Sequence, residues 1–392
     1  MNRPLLDVNL FTPEVIQDPY PRYEEVRALG NVVWNGLLNA WMVVGFEEAA
    51  AVLGDEGDQF VMMNGDPEVI MWFDAPNMIT VDGDYHRRLR SAVAALFTAR
   101  AVAHWEKRVT EVVDELLAPL VAGSGSFDLI GEFTMLPTII VAEMLGVPRE
   151  RHDDFRRWSH EISSGLAYGA EEPGRRERMR VAAREVNDYL RDEIERHRRE
   201  RPGDLITSML DLTGDNRMTD EEIRSTAVLF LLAGYDTTAK TMSNCLIALD
   251  ANPAQRELVA RDLSLVPAAI EEAMRWHGSV QSLPRAATAG TVLGGIEIAA
   301  GEAVYVFAAA GNRDPGRWAD PQSFDVTRQR KTHLAFGRGP HLCLGAALAR
   351  IEVKVAISRL LQAAPRYELQ DVDYGPSFFV RGPESGLVTL GV

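Results

Sequence analysis

The stretch Phe336-Gly337-Arg338-Gly339-Pro340-His341-Leu342-Cys343-Leu344-Gly345 holds the chain's clearest candidate for chemistry. Two glycines and a proline ahead of the cysteine exclude regular helix or strand there. Directly after it the pattern turns helical, through Leu348, Ile351, Val355, Leu360 and Leu361. Cys343 therefore sits on a rigid loop at the mouth of a long helix. There the positive end of the macrodipole and free backbone N–H groups favour a thiolate. A thiolate fixed by its loop suits a single axial bond to a metal. A lone cysteine in a turn is more often just a small buried apolar residue, so its surroundings must decide.

Two further stretches carry groups that could do chemistry. His86 and Arg90 stand four residues apart, and Val93 and Phe97 continue their stripe. Cationic groups on a helical stripe that turns apolar suggest a buried anion, although such a charge pair taken alone is more often a wet helix face; an anion against His86 and Arg90 would leave Arg87 and Arg88 directed outward. Ala233-Gly234-Tyr235-Asp236-Thr237-Thr238 is an odd insert for an apolar helix. Glycine costs about 1 kcal/mol there relative to alanine, and Asp and Thr compete for backbone hydrogen bonds. Taken alone, the hexapeptide is more often a tolerated polar step packed against a neighbour; a local distortion of the helix is the other reading. Glu272 and Arg275, three apart, are by spacing alone an ordinary surface pair.

The elements that must position these groups are legible. Thr219 and Glu222 form a capping box that opens a helix to about Asp250, ended by Asn252-Pro253. Such a helix, about 30 residues and about 45 Å long, crosses a whole domain. Phe230, Ala233, Thr237 and Thr241 share one of its faces. Further helices are predicted over Phe46 to Leu53, Ala101 to Leu120, Ile139 to Leu145, Trp158 to Tyr168, Arg178 to Arg199 and Pro267 to Trp276. Strands are predicted at Val32 to Trp34 and Trp41 to Val44, at Thr291 to Ile298, and at Ala303 to Phe307. Ser377 to Val380 and Leu387 to Leu390 are predicted to close the chain as a hairpin. The class is mainly α with a smaller β region, an α+β chain.

The 392 residues show no linker, repeat or low-complexity segment, and a single domain over 1–392 is expected. A net charge of −16 argues against a general nucleic-acid surface. Two cysteines in differing contexts, Cys245 and Cys343, argue against a disulfide framework and suit a reducing compartment. The first residues lack the apolar run of a signal peptide or membrane anchor, so a soluble cytoplasmic protein is expected.

The cysteine stretch resembles the haem-binding signature of the cytochrome P-450 family, Phe-x-x-Gly-x-(Arg/His)-x-Cys-x-Gly, at Phe336, Gly339, His341, Cys343 and Gly345. The hexapeptide at Ala233 resembles that family's oxygen-binding motif, and Glu272, Arg275 and Arg328 resemble its structural Glu-x-x-Arg triad. The resemblance implies the P-450 fold, a single triangular domain with haem b between the long central helix and the helix after Cys343. It implies Cys343 as the thiolate ligand of haem iron, with propionates held by His86, Arg90, Arg285 and His341. Ala233 and Gly234 would leave space for dioxygen, and Asp236 and Thr237 would relay protons.

The activity implied is monooxygenation, with O2 as co-substrate. Electrons would come from a separate ferredoxin-type donor docking on Arg87, Arg88 and Arg338, since no cysteine set for a cluster is present. A peroxygenase or a non-catalytic haem sensor on this fold would not need the acid–threonine pair. The Met- and aromatic-rich segment 61–81 (Trp72 and Phe73 included), with Phe230, Ala233, Val280, Phe378 and Phe379, is expected to line an apolar chamber for a lipophilic small molecule. The helices on either side of Pro173 would cover that chamber.

Overall fold

The structure, a computed structural model, describes residues 4–63, 73–122, 126–164 and 173–390. Helix α1 (Tyr20–Leu29) leads into the hairpin of β1 (Val32–Asn35) and β2 (Ala40–Val43), followed by α2 (Phe46–Gly54) and β3 (Phe60–Met62). A helical half comes next: α3 (Gly83–Ala94), α4 (Trp105–Ala122), α5 (Met135–Met144), α6 (His152–Ser164), α7 (Arg175–Glu200), α8 (Asp220–Ala251), α9 (Pro253–Arg261) and α10 (Val266–Trp276). The short strand β4 (Ser126–Phe127) lies between α4 and α5. Then follow β5 (Leu283–Ala287), β6 (Thr291–Leu293), β7 (Ile296–Ile298) and β8 (Ala303–Val306), helix α11 (Ala346–Ala363), and strands β9 (Tyr367–Asp373) and β10 (Ser385–Leu390).

Helix α8 runs 32 residues and packs against α5, α6, α7, α10 and α11. Its capping box forms in both directions: Glu222 N–H donates to Thr219 Oγ1 at 3.2 Å, and Thr219 N–H donates to Glu222 Oε2 at 2.9 Å. The helix stays regular through Ala233–Thr238, as a tolerated polar step and not as a local distortion. The reason is visible in two hydroxyls. Thr237 Oγ1 donates to Ala233 O and Thr241 Oγ1 to Thr237 O, each at 2.7 Å, so the polar groups bond along the helix instead of interrupting it.

The larger sheet has the order β1-β2-β8-β5-β3, with only β2 and β8 parallel. One apolar cluster fills the helical half, a second lies between this sheet and α2, and a third gathers the N-terminal segment. The predicted strand Thr291 to Ile298 is instead a two-stranded hairpin, β6 with β7. Gly294 and Gly295, at φ 56° and 81°, turn it over, the Gly-Gly signal of a tight hairpin. The closing hairpin also differs from expectation. β10 pairs with β9 and β4, while the 377–380 stretch lies outside the named strands and touches Val280 through a bridge from Val380. The run expected over Ala101 to Leu120 is broken at Ala103 and His104, and α4 starts at Trp105. Helix α6 ends at Ser164, and the rest of its expected run lies outside the described residues.

Behind the cysteine helix, Glu272 and Arg275 are buried rather than exposed. Arg275 Nε and Nη2 each meet a Glu272 carboxylate oxygen at 2.7 Å, and Arg328 Nε reaches Glu272 Oε1 at 3.0 Å. Arg275 also donates to the carbonyls of Asn312, Pro321 and Ser323, fixing the irregular stretch that leads to Cys343. At the other end of the molecule, buried Arg381 donates to Ile16 O at 2.6 Å and to Gln17 O, tying the last segment of the chain to the first.

Candidate active site

The cysteine loop is closed by its own backbone. Cys343 N–H donates to Phe336 O at 2.8 Å, Gly337 N–H to Leu334 O at 2.9 Å, and Leu342 N–H to Gly339 O at 3.0 Å. Gly337 and Gly339 take φ of 71° and 69°, values that disfavour any side chain. A Cβ at Gly339 would also stand 2.4 Å from Leu53 O, so the loop rests directly on the end of α2. Cys343 comes two residues after a single 3-10 turn (Gly339–His341) and three before α11.

The Cys343 side chain is exposed, yet the crowding of protein around it pushes the thiol up. The backbone N–H groups of Gly345 and Ala346, with Arg90 and Arg350, pull the other way without overcoming it. The helix-dipole argument from sequence therefore names real contributions that burial outweighs. A metal bond would supply the missing stabilisation of the thiolate.

Around the loop gathers a set of cationic and donor groups. His86 and Arg90 lie on α3, Arg285 on β5 and His341 in the loop itself. The His86 ring sits 4.2 Å from that of His341, and its buried Nε2 has no hydrogen-bond partner among the described residues. Burial first, then His341 and Arg90, hold the His86 imidazole down to about 4. Arg285 is buried, with a side-chain hydrogen bond only to its neighbour's carbonyl, Pro284 O at 2.8 Å. Arg90 donates to Leu342 O. Burial lowers both arginines' pKa values, opposed by Asp82 for Arg285 and by Cys343 for Arg90. Sequence reasoning missed Asp82, whose Oδ1 lies 2.9 Å from His341 Nε2 while Oδ2 accepts from Met62 N–H at 2.8 Å. Its position just before α3 suggests a helix cap, but it makes no side-chain cap bond. Asp82 thus answers His341 by a hydrogen bond and Arg285 through its charge, while Arg90 bonds a backbone carbonyl, a set that could take further anionic oxygen atoms.

On α8, Ala233 is exposed although Leu231 and Tyr235 beside it are buried. Gly234 also has a packing role: a Cβ there would lie 3.2 Å from Val141 Cγ2, so its absence admits α5 closely. Asp236 is bound by Lys240, whose buried Nζ lies 3.0 Å from Oδ2 and also donates to Val380 O at 3.0 Å.

The expected chamber residues divide. Phe230 is partly buried and packs on Phe97 with ring centres 4.8 Å apart. Val280 is half-buried at its bridge to Val380. Phe73 belongs to the buried helical core, and Trp72 lies outside the described residues. Phe378 is buried in the N-terminal cluster, and Phe379 stacks on Tyr305 at 5.8 Å against that same cluster. Both phenylalanines are thus packing residues, drawn there by Phe11 and Tyr305. Arg88, expected to point outward, pairs with Glu222 at the start of α8, whereas Arg87 is exposed beside Asp84.

The chain belongs to the cytochrome P450 family, whose profile matches residues 30–373. It is 35% identical to cytochrome P450 107B1 of Saccharopolyspora erythraea over 96% of each chain. Over 93% of this chain and 94% of the other, it is also 35% identical to the 6-deoxyerythronolide B hydroxylase of that organism. Among solved structures, P450BioI in complex with an acyl carrier protein ligated to hexadec-9Z-enoic acid superposes with a TM-score of 0.91, at 29% identity, over 97% of this chain and 99% of that one. The fold is the P450 fold, the cofactor of the family is haem b, and the enzyme is an oxidoreductase of the monooxygenase class. The residues present fit that cofactor: an exposed cysteine on a rigid loop, an orphaned buried Nε2 on His86, and cations in excess of carboxylate beside them. No helix among the described residues is long and apolar enough to cross a membrane.

Proposed function

We propose that this enzyme inserts one atom of dioxygen into a lipophilic small organic molecule, by hydroxylation or epoxidation, with electrons from a separate ferredoxin-type donor. Bound through Cys343, haem b supplies the oxygen chemistry, with thiolate donation favouring O–O cleavage. His86, Arg90, Arg285 and His341 hold its propionates, neutralising charge that the fold would otherwise have to bury alone. Ala233, with the smallest side chain available at an exposed mid-helix position, keeps its face of α8 low.

Asp236 and Thr237 move protons. Lys240 holds Oδ2 of Asp236, which leaves Oδ1 as the oxygen that exchanges a proton with solvent. Thr237 Oγ1 donates to Ala233 O in this structure and must rotate to pass a proton toward the cofactor. Arg87 and Arg338, both exposed, form the basic patch for the donor, with Arg88 already committed to Glu222. Charge reversal at Arg87 and Arg338 should slow reduction by a ferredoxin, and an unchanged rate would reject the patch.

The lipophilic class is supported by relatives whose names include a 6-deoxyerythronolide B hydroxylase and a vitamin D(3) 25-hydroxylase, and by a similar structure in complex with an acyl carrier protein ligated to hexadec-9Z-enoic acid. The observation that carries the whole reading is His86 Nε2, buried without a partner beside the cysteine loop. The absorption spectrum of reduced protein under carbon monoxide tests it. A Soret band red-shifted from that of histidine-ligated haem, and lost in Cys343→Ala, is the expected result. Ordinary histidine ligation in the intact protein would end the thiolate assignment.

A further inference from the structure

Helix α11 carries an arginine that the propionate and proton-relay residues do not use. Arg350 lies two turns past Cys343, with its guanidinium carbon 4.4 Å from the centre of the Phe336 ring, the first residue of the cysteine loop. Its fork is gripped from α10: Nε meets Glu271 Oε1 at 2.7 Å and Nη2 meets Oε2 at 3.1 Å. A third residue completes the clamp. His333 Nδ1 accepts from Ala335 N–H at 3.2 Å, which leaves Nε2–H to donate to Glu271 Oε2, also at 3.2 Å. His333 is buried, and its ring lies 6.2 Å from that of Phe336.

This is more construction than a surface arginine requires. An exposed pair contributes little to stability, yet here one carboxylate is shared by a bidentate guanidinium and a buried imidazole. Burial opposes the ionised form of Glu271, but hydrogen bonds from His333 and Arg350 bring its carboxyl down to about 2. Arg350 is among the charges felt at Cys343, beside Arg90.

We propose that Glu271 and His333 are positioning residues that fix the Arg350 guanidinium against Phe336, and that this fixed cation raises the reduction potential of the iron bonded to Cys343. The inference rests on Cys343 being the iron ligand. Reduction adds one electron from the separate donor and breaks no bond, so a stationary positive charge near the thiolate favours the reduced state by Coulomb attraction alone. The planar fork matters because it holds the charge in one place, which a flexible ammonium does not.

The test is a dye-mediated redox titration of the haem-loaded protein without any electron-transfer partner. Arg350→Gln should shift the ferric–ferrous equilibrium about tenfold toward ferric, a drop of about 59 mV for a one-electron couple. Arg350→Lys should give a smaller drop. Glu271→Gln loosens the fork but also removes a negative charge, which by itself raises the potential, so it should raise the potential of Arg350→Gln by more than that of the otherwise unaltered chain, the difference being what the clamp contributes through Arg350. In all of these the reduced carbon-monoxide band should keep its thiolate position. Potentials that stay put while melting temperatures fall would mean a mere brace between α10 and α11, and would overturn the proposal. Absence of the red-shifted band in the unaltered protein would instead remove the iron ligand itself, a different failure that the same spectra reveal.

Discussion

Glu272, behind the cysteine loop, is 6% exposed between Arg275 and Arg328, whereas Glu185 on α7 meets Arg157 with side chains 42% and 48% exposed. Both are carboxylate–guanidinium pairs, yet they belong to different ways of holding a structure. On the cysteine side, buried charges and left-handed glycines admit one arrangement, since any shift leaves an uncompensated charge or a clash. On the far side of α8, helices α6 and α7 meet through an apolar stripe that includes Trp158, Ala182, Val186 and Tyr189, with ion pairs at the rim. Such packing tolerates small displacements. The ligand loop is held rigidly, and the helices expected to cover the chamber are held adaptably.

Four substitutions would break or sharpen that contrast. Glu272→Gln leaves the buried Arg275 and the partly buried Arg328 short of a partner and should cost about 3–5 kcal/mol, read from urea denaturation, with haem content falling alongside. Gly339→Ala forces a side chain into the φ 69° conformation and toward Leu53 O. A loss of roughly 1–3 kcal/mol is expected from the backbone conformation alone, and the carbon-monoxide band should weaken with it. Gly214, at φ 62° with open space around it, makes the matching control away from the site.

The third concerns His86, whose imidazole is held at about 4 in the folded protein. An unfolded chain, with a histidine near 6.5, binds more protons than the folded one between those values. His86 therefore favours the fold fully above about pH 6.5, and its contribution fades as pH falls toward about 4. Thermal melts of haem-free protein across that window should show a decline that His86→Gln makes shallower. Arg157→Ala, the smallest change, should alter stability by no more than about 1 kcal/mol. A loss as large as that of Glu272→Gln would erase the distinction between the two sides.

Much of this was legible from local chemistry. The loop before the helix after Cys343, the capping box at Thr219 and Glu222, and the helix that carries His86 and Arg90 depend on residues close in sequence, and these elements form as read. The triad spacing was readable too, though burial of Glu272 required partners from 46 to 56 residues beyond Arg275 or Glu272 to close over it. What escaped was set by distant partners. That Gly234 also admits Val141, on another helix, could not be read from its own neighbours. Phe378 and Phe379 read as chamber walls because their apolar character does not say which of two interiors they enter, and Phe11 decides it. Arg88 reads as a free cation until the start of α8 presents Glu222. The turn at Gly294-Gly295 was a local signal that the surrounding run of strand-forming residues obscured.

The tie from Arg381 back to Ile16 and Gln17 has a consequence for how each molecule comes into being. The ribosome releases the N-terminal segment early, but the guanidinium that accompanies it in the finished fold lies 365 residues beyond Ile16. At about 5–20 residues per second, that interval lasts roughly 20–70 s. Throughout it Tyr20 and Tyr23 wait without Arg381 or Phe378 over them. A nascent chain cut short before that arginine would carry every residue proposed to touch the haem and still leave its first helix unlatched, a ready substrate for cellular proteases.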